Sequence, residues 1–242
     1  MIDKQKKKEH FSKAAGHFQK AHQLEPMNYE YAAYALTALA NVERTKEAFK
    51  IGNHLTENFK KAPRFSFESD PWYLYASVVG MSDPDKMQDI IRERSKSPDA
   101  SALVHFAVVK QEMKRADSPR EKVRLLGEFI RRMEDGDITN TGYDIHSLVS
   151  AYYKLGHELF KMDMPEMALL AYRKLSSLSP HYAEIHYNNG IIYSSLAKEE
   201  SHPAKKEALL EKAKREFELQ KKYDWHGRAT QSAQKQLDRM GE

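Results

Sequence analysis

The stretch Tyr152–Pro180, YYKLGHELFKMDMPEMALLAYRKLSSLSP, decides the fold. Tyr152, Leu155, Gly156 and Leu159 recur at intervals of three and four, which gathers them on one face of a first helix. Ala168, Tyr172 and Leu175 do the same on a second helix, and Pro180 closes the unit because proline cannot continue a helix. Gly156 and Ala168 are small enough to let two antiparallel helices approach, while Leu and Tyr side chains fill the seam. The stretch is one helix–turn–helix unit.

These residues resemble the tetratricopeptide (TPR) repeat, a helical hairpin of about 34 residues that stacks on its neighbours. The resemblance implies an all-α, TPR-like α-solenoid of five to six hairpins, coiled as a right-handed superhelix and ending in a capping helix. It also implies a surface that binds other proteins and performs no chemistry of its own.

Working outward, the next unit carries His186, Gly190 and Tyr193 on its first helix and Ala213 and Phe217 on its second. The spacing between the two is longer by about three helical turns, so the insertion AKEESHPAKKEAL is expected to extend both helices. A polar helix near Arg228–Met240 reads as the cap. Towards the N-terminus, Ala14, Phe18, Ala21 and Pro26 repeat the spacing of Ala168, Tyr172, Leu175 and Pro180. They read as the second helix of a repeat whose first helix is missing, which suggests a piece of a longer protein. Helices near 28–41 and 44–60 follow with Ala48 at the small position, but Leu36 stands where Gly is usual and Gly52 where an aromatic is usual.

Between these, Asp70-Pro71, Ser82-Asp83-Pro84, Ser97-Pro98 and Ser118-Pro119 each place a capping side chain before a first-turn proline. Ser118 with Glu121 fits a capping box. Two further hairpins follow, Trp72–Met81 with Asp85–Lys96 and Asp99–Ala116 with Arg120–Met133. The resulting division is a single solenoid over 1–242, with a partial and a second repeat at 9–60, divergent hairpins at 69–134, the best-matching repeat at 145–182, the extended one at 183–225 and the cap at 228–240.

The chain has 242 residues, 40% hydrophobic and 31% charged, which suits a thin, surface-rich array of hairpins. With 39 basic and 35 acidic residues the formal net charge is only +4, against the strong basic stripe of a nucleic-acid binder. The absence of cysteine removes disulfides, thiolate metal sites and cysteine nucleophiles. MIDKQKKKEH has no apolar stretch of a signal peptide, and no run approaches the roughly 18 apolar residues of a membrane span. A soluble, cytoplasmic polypeptide is expected, with membrane contact only through a larger parent protein or complex.

Catalytic and metal patterns fail on inspection. His157-Glu158 lacks a second imidazole, since Lys161 stands four residues on. Asp135, Asp137 and Thr139 have calcium-loop spacing, but Asn140 replaces the glycine and His146 the bidentate glutamate. None of the eleven histidines has another four residues away. No catalytic residue, metal, cofactor or small-molecule substrate is assigned. The basic run Lys4–Lys8 reads as a solvated helix start.

The TPR resemblance implies a concave groove lined by first helices, here by Tyr153, His157 and Phe160, then Tyr187, Asn188 and Ile191. Tyr152, Leu155, Gly156, Leu159, Ala168, Tyr172, Pro180, Gly190, Tyr193, Ala213, Phe217, Ala14 and Phe18 are assigned to repeat packing. Asn188 matches one asparagine of the carboxylate clamp of TPR co-chaperones, but Tyr153 and His157 occupy the other clamp positions. The expectation is therefore a non-enzymatic adaptor that holds a protein or peptide through aromatic and apolar contacts. Replacing Tyr153 and Tyr187 by Ala is expected to weaken such binding with little effect on melting. Two alternatives are the TPR portion of a larger membrane-associated enzyme or assembly complex, and a self-assembling scaffold whose N-terminal helix exposes an apolar face.

Overall fold

Twelve helices are present in the computed structural model, which describes residues 4–60, 70–138, 145–224 and 230–241. They are α1 (Lys4–Leu24), α2 (Tyr29–Asn41), α3 (Thr45–Asn58), α4 (Pro71–Val79), α5 (Pro84–Arg94) and α6 (Ala102–Arg115), followed by α7 (Pro119–Glu134), α8 (Ile145–Lys161), α9 (Pro165–Leu178), α10 (Ala183–Glu199), α11 (Pro203–Tyr223) and α12 (Thr230–Gly241). No strand occurs among the described residues.

Capping explains where several helices begin. Asp70 accepts the backbone N–H groups of Trp72 and Tyr73 at 2.9 and 3.2 Å, and Asp83 accepts that of Lys86 at 3.0 Å. Ser118 Oγ accepts the Glu121 N–H at 3.2 Å. Each satisfies donors that a helix start leaves unpaired. Ser97-Pro98 behaves differently and starts no helix. The Ser97 hydroxyl donates to Asp99, whose carboxylate is held by Arg94 at 2.8 Å, so a turn forms there and α6 starts only after Ser101. The Val104 N–H donates to Ser101 Oγ at 3.4 Å instead.

Two turns repeat the same backbone device. Glu43 between α2 and α3 has φ of 63°, and Asp163 between α8 and α9 has φ of 58°. The next N–H in each case returns to a carbonyl of the preceding helix, Arg44 to Leu39 at 3.0 Å and Met164 to Leu159 at 3.1 Å. This left-handed residue reverses the chain and satisfies the carbonyls at the helix end.

Two compact units result, Met1–Arg115 with Arg131–Ser147 and Ala116–Ile130 with Leu148–Glu242. In the first, α1 to α4 enclose Ala15, Tyr29, Leu36, Leu39, Ala48, Leu55 and Leu74, and a second cluster joins Ala76, Ile91, Val104 and Ala107. Helix α1 packs through Phe11, Ala15 and Phe18, with Ala15 fully buried and Ala14 only half-buried. Ala14, which the repeat spacing assigns to packing, also lies against this core, beside the more deeply buried Ala15. The exposed positions of α1 before Leu24 carry lysines, histidines, Glu9 and small or polar residues. Phe11, Ala14 and Phe18 are only partly buried on this helix, and Leu24 at its end is exposed.

In the second unit the seam follows one rule twice. A Cβ added to Gly156 would lie 2.5 Å from Tyr172 Cε1, and one added to Gly190 would lie 2.5 Å from Phe217 Cε1. Tyr172 and Phe217 each stand four residues after a fully buried alanine, Ala168 and Ala213. Burying such a ring contributes about 1.5–3 kcal/mol. The insertion lengthens both helices of the second hairpin: Gly156 stands five residues before the end of α8, whereas Gly190 stands nine before the end of α10. Ala168 is three residues into α9, and Ala213 ten into α11. Ala233 of α12 joins Ala213 and Phe217 in one buried cluster.

The acidic loop after α7 is occupied by Arg131, which pairs with Asp135 at 2.7 Å and approaches Asp137 at 3.9 Å. The remaining residues of the calcium-like spacing, Thr139 and Asn140, lie outside the described residues, as do Arg228 and the ends of the divisions drawn at 69 and 225.

Candidate binding surfaces

The candidate surfaces lie on the first helices of four hairpins, α2, α4, α8 and α10. On α8, Tyr153 is half-buried, with its ring 6.2 Å from that of Tyr172 and 5.7 Å from that of Tyr182. His157 is exposed, and Phe160 is half-buried. Partial burial holds the His157 imidazole below its ordinary range, helped by the Lys161 charge and opposed by Glu158. On α10, Asn188 Nδ2 donates to the Tyr172 hydroxyl at 3.2 Å, and Tyr187 lies 5.9 Å from the Phe217 ring. Ile191 packs against the cluster of Ala213, Phe217 and Ala233. Burial raises the Tyr172 hydroxyl well above its usual range, and the neighbouring Tyr153 adds to the shift. It stays a neutral partner for Asn188.

These contacts change the reading of Tyr153 and Tyr187. Each ring packs against the seam residue of its own hairpin, so truncation removes aromatic packing as well as surface. Unaltered melting is no longer expected for the Tyr153→Ala/Tyr187→Ala pair. Asn188 is likewise engaged by Tyr172. Of the residues assigned to packing, Tyr152, Gly156, Leu159, Ala168, Tyr172, Gly190, Ala213 and Phe217 are buried. Leu155, Tyr193, Ala14 and Phe18 are half-buried, and Pro180 is exposed.

The seam of the α10–α11 hairpin also contains a polar layer. His186 Nδ1 meets Glu216 Oε2 at 2.7 Å, and Asn189 Nδ2 donates to the same oxygen at 3.4 Å. Gln220 is fully buried with neither side-chain polar atom partnered, and His186 Nε2 and Asn189 Oδ1 are also buried without partners. Counting from the seam glycines and alanines, these four positions correspond to Tyr152, Leu155, Ala171 and Leu175 of the α8–α9 hairpin. One hairpin is apolar where the other is polar.

A surface that the repeat spacing did not single out lies in the first unit. Leu36, Thr37, Ala40 and Asn41 of α2, Leu74, Ser77 and Val78 of α4, and Met81 in the turn after α4 line an open cavity of about 310 Å³. Met81 is exposed beside it. Ala40 and Ser77 are the smallest side chains of that lining. Thr37 Oγ1 is buried there and makes no hydrogen bond.

Among the described residues, no three His, Cys, Asp or Glu side chains are grouped to hold a metal ion, and no helix is long and apolar enough to cross a membrane.

No family model matches the chain, and no curated protein matches it. Among solved structures, the APC/C hetero-tetramer Cut9-Hcn1 is similar over 96% of this chain, with a TM-score of 0.60 and 12% identity. The chain spans 40% of the length of that neighbour's chain. YrrB, described as a TPR protein with an unusual peptide-binding site, is similar over 92% of this chain and 100% of its own, at a TM-score of 0.46 and 15% identity. MamA is similar over 91% of this chain and 96% of its own, at 0.34 and 18%. The fold is a TPR-like array of helical hairpins.

Proposed function

We propose that this chain is a non-catalytic protein-interaction module that takes a segment of a partner protein on the first helices of its hairpins. The observation that carries the reading is the cavity between α2 and α4, an open apolar cup of about 310 Å³ with Met81 exposed at its edge. Ligand-sized concavities with apolar walls and a few polar groups are the usual form of a recognition site. Tyr153, His157, Phe160, Tyr187, Asn188 and Ile191 form a second patch on α8 and α10. Half-buried rings and exposed His157 give it apolar area with polar tips, as an extended peptide or amphipathic helix requires.

The test is an affinity capture from the native source with the whole chain and with Asn41→Trp, which places an indole at the cup from an exposed position. A partner retained by the whole chain and lost with Asn41→Trp supports the cup as the anchor. A partner held equally by both, but lost with His157→Asp, moves the site to α8 and α10. Equal capture by all three overturns the reading.

A further inference from the structure

We infer that the exposed ridge of α9 is a docking face for a second copy of this chain, held antiparallel across a twofold axis at Leu170. The face belongs to a second helix, so the inference is independent of the partner surfaces on the first helices.

Helix α9 turns Ala168, Ala171, Tyr172 and Leu175 into the protein. Leu170 is two residues from both Ala168 and Tyr172, about 200° round the helix, and therefore points away from the seam. It is 47% exposed, as is Met167, and Met164, just before the helix, is 37% exposed. Seven large hydrophobic side chains are exposed among the described residues, and three of them form this row. Isolated exposed apolar side chains are ordinary, whereas a contiguous row marks a contact surface.

The charges beside the row say what fits it. Glu166, Leu170 and Lys174 follow one another at four-residue steps, so the ridge runs acidic, apolar, basic along the helix. Glu166 and Lys174 are exposed, and neither forms an ion pair among the described residues. Lys161, the nearest cation before Glu166, is held by Glu158 at 3.2 Å. A second copy laid antiparallel with Leu170 on Leu170 brings Glu166 of each chain to Lys174 of the other, about 6 Å along the axis on either side. A parallel arrangement would set Glu166 against Glu166 and Lys174 against Lys174. The ridge is thus self-complementary in one direction only, as a twofold interface requires, where residue i meets j and j meets i. One helix pair is a small contact, below the roughly 1,200 Å² of standard interfaces, so the dimer is weak and reversible.

Sedimentation velocity of the whole chain over a wide range of concentration tests this, with a reversible monomer–dimer equilibrium as the expected result. Leu170→Lys, at the centre of the contact, should weaken association at least about tenfold. Glu166→Lys or Lys174→Glu each set like charges together twice per dimer and should weaken it severalfold, while the two together should restore it. These side chains are exposed, so circular dichroism and melting should not change, which separates a lost contact from a lost fold. The chain has no cysteine, so Leu170→Cys introduces a lone thiol on the axis. Mild oxidation should link it to its copy, whereas Ser177→Cys, about 20 Å from its copy at the usual helical rise, should stay unlinked. A strict monomer at every concentration, with no cross-link through Leu170→Cys, overturns the inference. A dimer indifferent to Leu170→Lys also overturns it, because another face then holds the copies. Cross-linking through Ser177→Cys as readily as through Leu170→Cys overturns the antiparallel order. Failure of the double charge variant to recover overturns the Glu166–Lys174 pairing.

Discussion

Burial, reinforced by the charges of Arg132 and Arg94, holds the His105 imidazole at about 4, well below its ordinary 6.5. The folded protein therefore keeps this ring neutral in a range where the unfolded chain protonates it. Stability contributed by neutral His105 is fully present above about 6.5 and is lost as pH falls from there to about 4. Carboxylates act in a lower window: Asp99, held by Ser97 and Arg94, and Glu47, held by Arg44 and Gln19, each stand at about 2. Their stabilisation fades only as pH drops below the ordinary carboxylate range towards 2. His105→Gln should flatten the pH dependence of denaturant midpoints between 6.5 and 4 and leave the slope below 4 intact. An unchanged slope between 6.5 and 4 would assign that window to other groups. Gln220 gives a second expectation. It is fully buried with both polar atoms unpartnered, at the position where the neighbouring hairpin has fully buried Leu175. Gln220→Leu should raise stability by about 1 kcal/mol, because it removes a buried unmade hydrogen-bonding group without opening a cavity. A fall in melting temperature would mean that the polar layer supports the hairpin.

Pairs of helices are built on a hole and a knob, and the two can change places. In the α8–α9 and α10–α11 hairpins the glycine is on the first helix and the aromatic on the second. In α2–α3 the order is reversed: Leu36 is on the first helix, and a Cβ on Gly52 would lie 3.2 Å from its Cδ1 and 2.7 Å from Tyr75 Cδ2. Read alone, Leu36 and Gly52 are two departures from the repeat pattern; together they are one compensated exchange. Gly52→Ala is expected to destabilise. Overpacking costs about 1–3 kcal/mol, which exceeds the gain of roughly 1 kcal/mol from replacing a helical glycine by alanine. With Leu36→Ala in the same chain the cost should be smaller than the sum of the two single changes, a coupling measurable by a double-mutant cycle. Strict additivity would show that Tyr75 alone sets the limit at Gly52.

Taken as a whole, a chain of hairpins is stabilised by nearest neighbours, so damage should stay local. Helix α12 places Ala233, Leu237 and Met240 around Ala213 and Phe217. Removing residues 230–241 should raise amide exchange in α10 and α11 by orders of magnitude while α2 and α3 keep their protection. Loss of protection everywhere would indicate cooperative unfolding of the full chain. The sequence by itself determined the helix–turn–helix units, the capped starts at Asp70, Asp83 and Ser118, the extension of both α10 and α11, and the seam residues Gly156, Tyr172, Gly190 and Phe217. Those features depend on contacts within one turn or between adjacent helices, and local spacing encodes them. Only the tertiary structure decided that Ser97 lies in a turn, that Tyr153 and Asn188 are engaged by Tyr172, and that a cup opens between α2 and α4. Each depends on how far apart two surfaces come to rest, and that distance is set by side-chain volumes on helices remote in sequence.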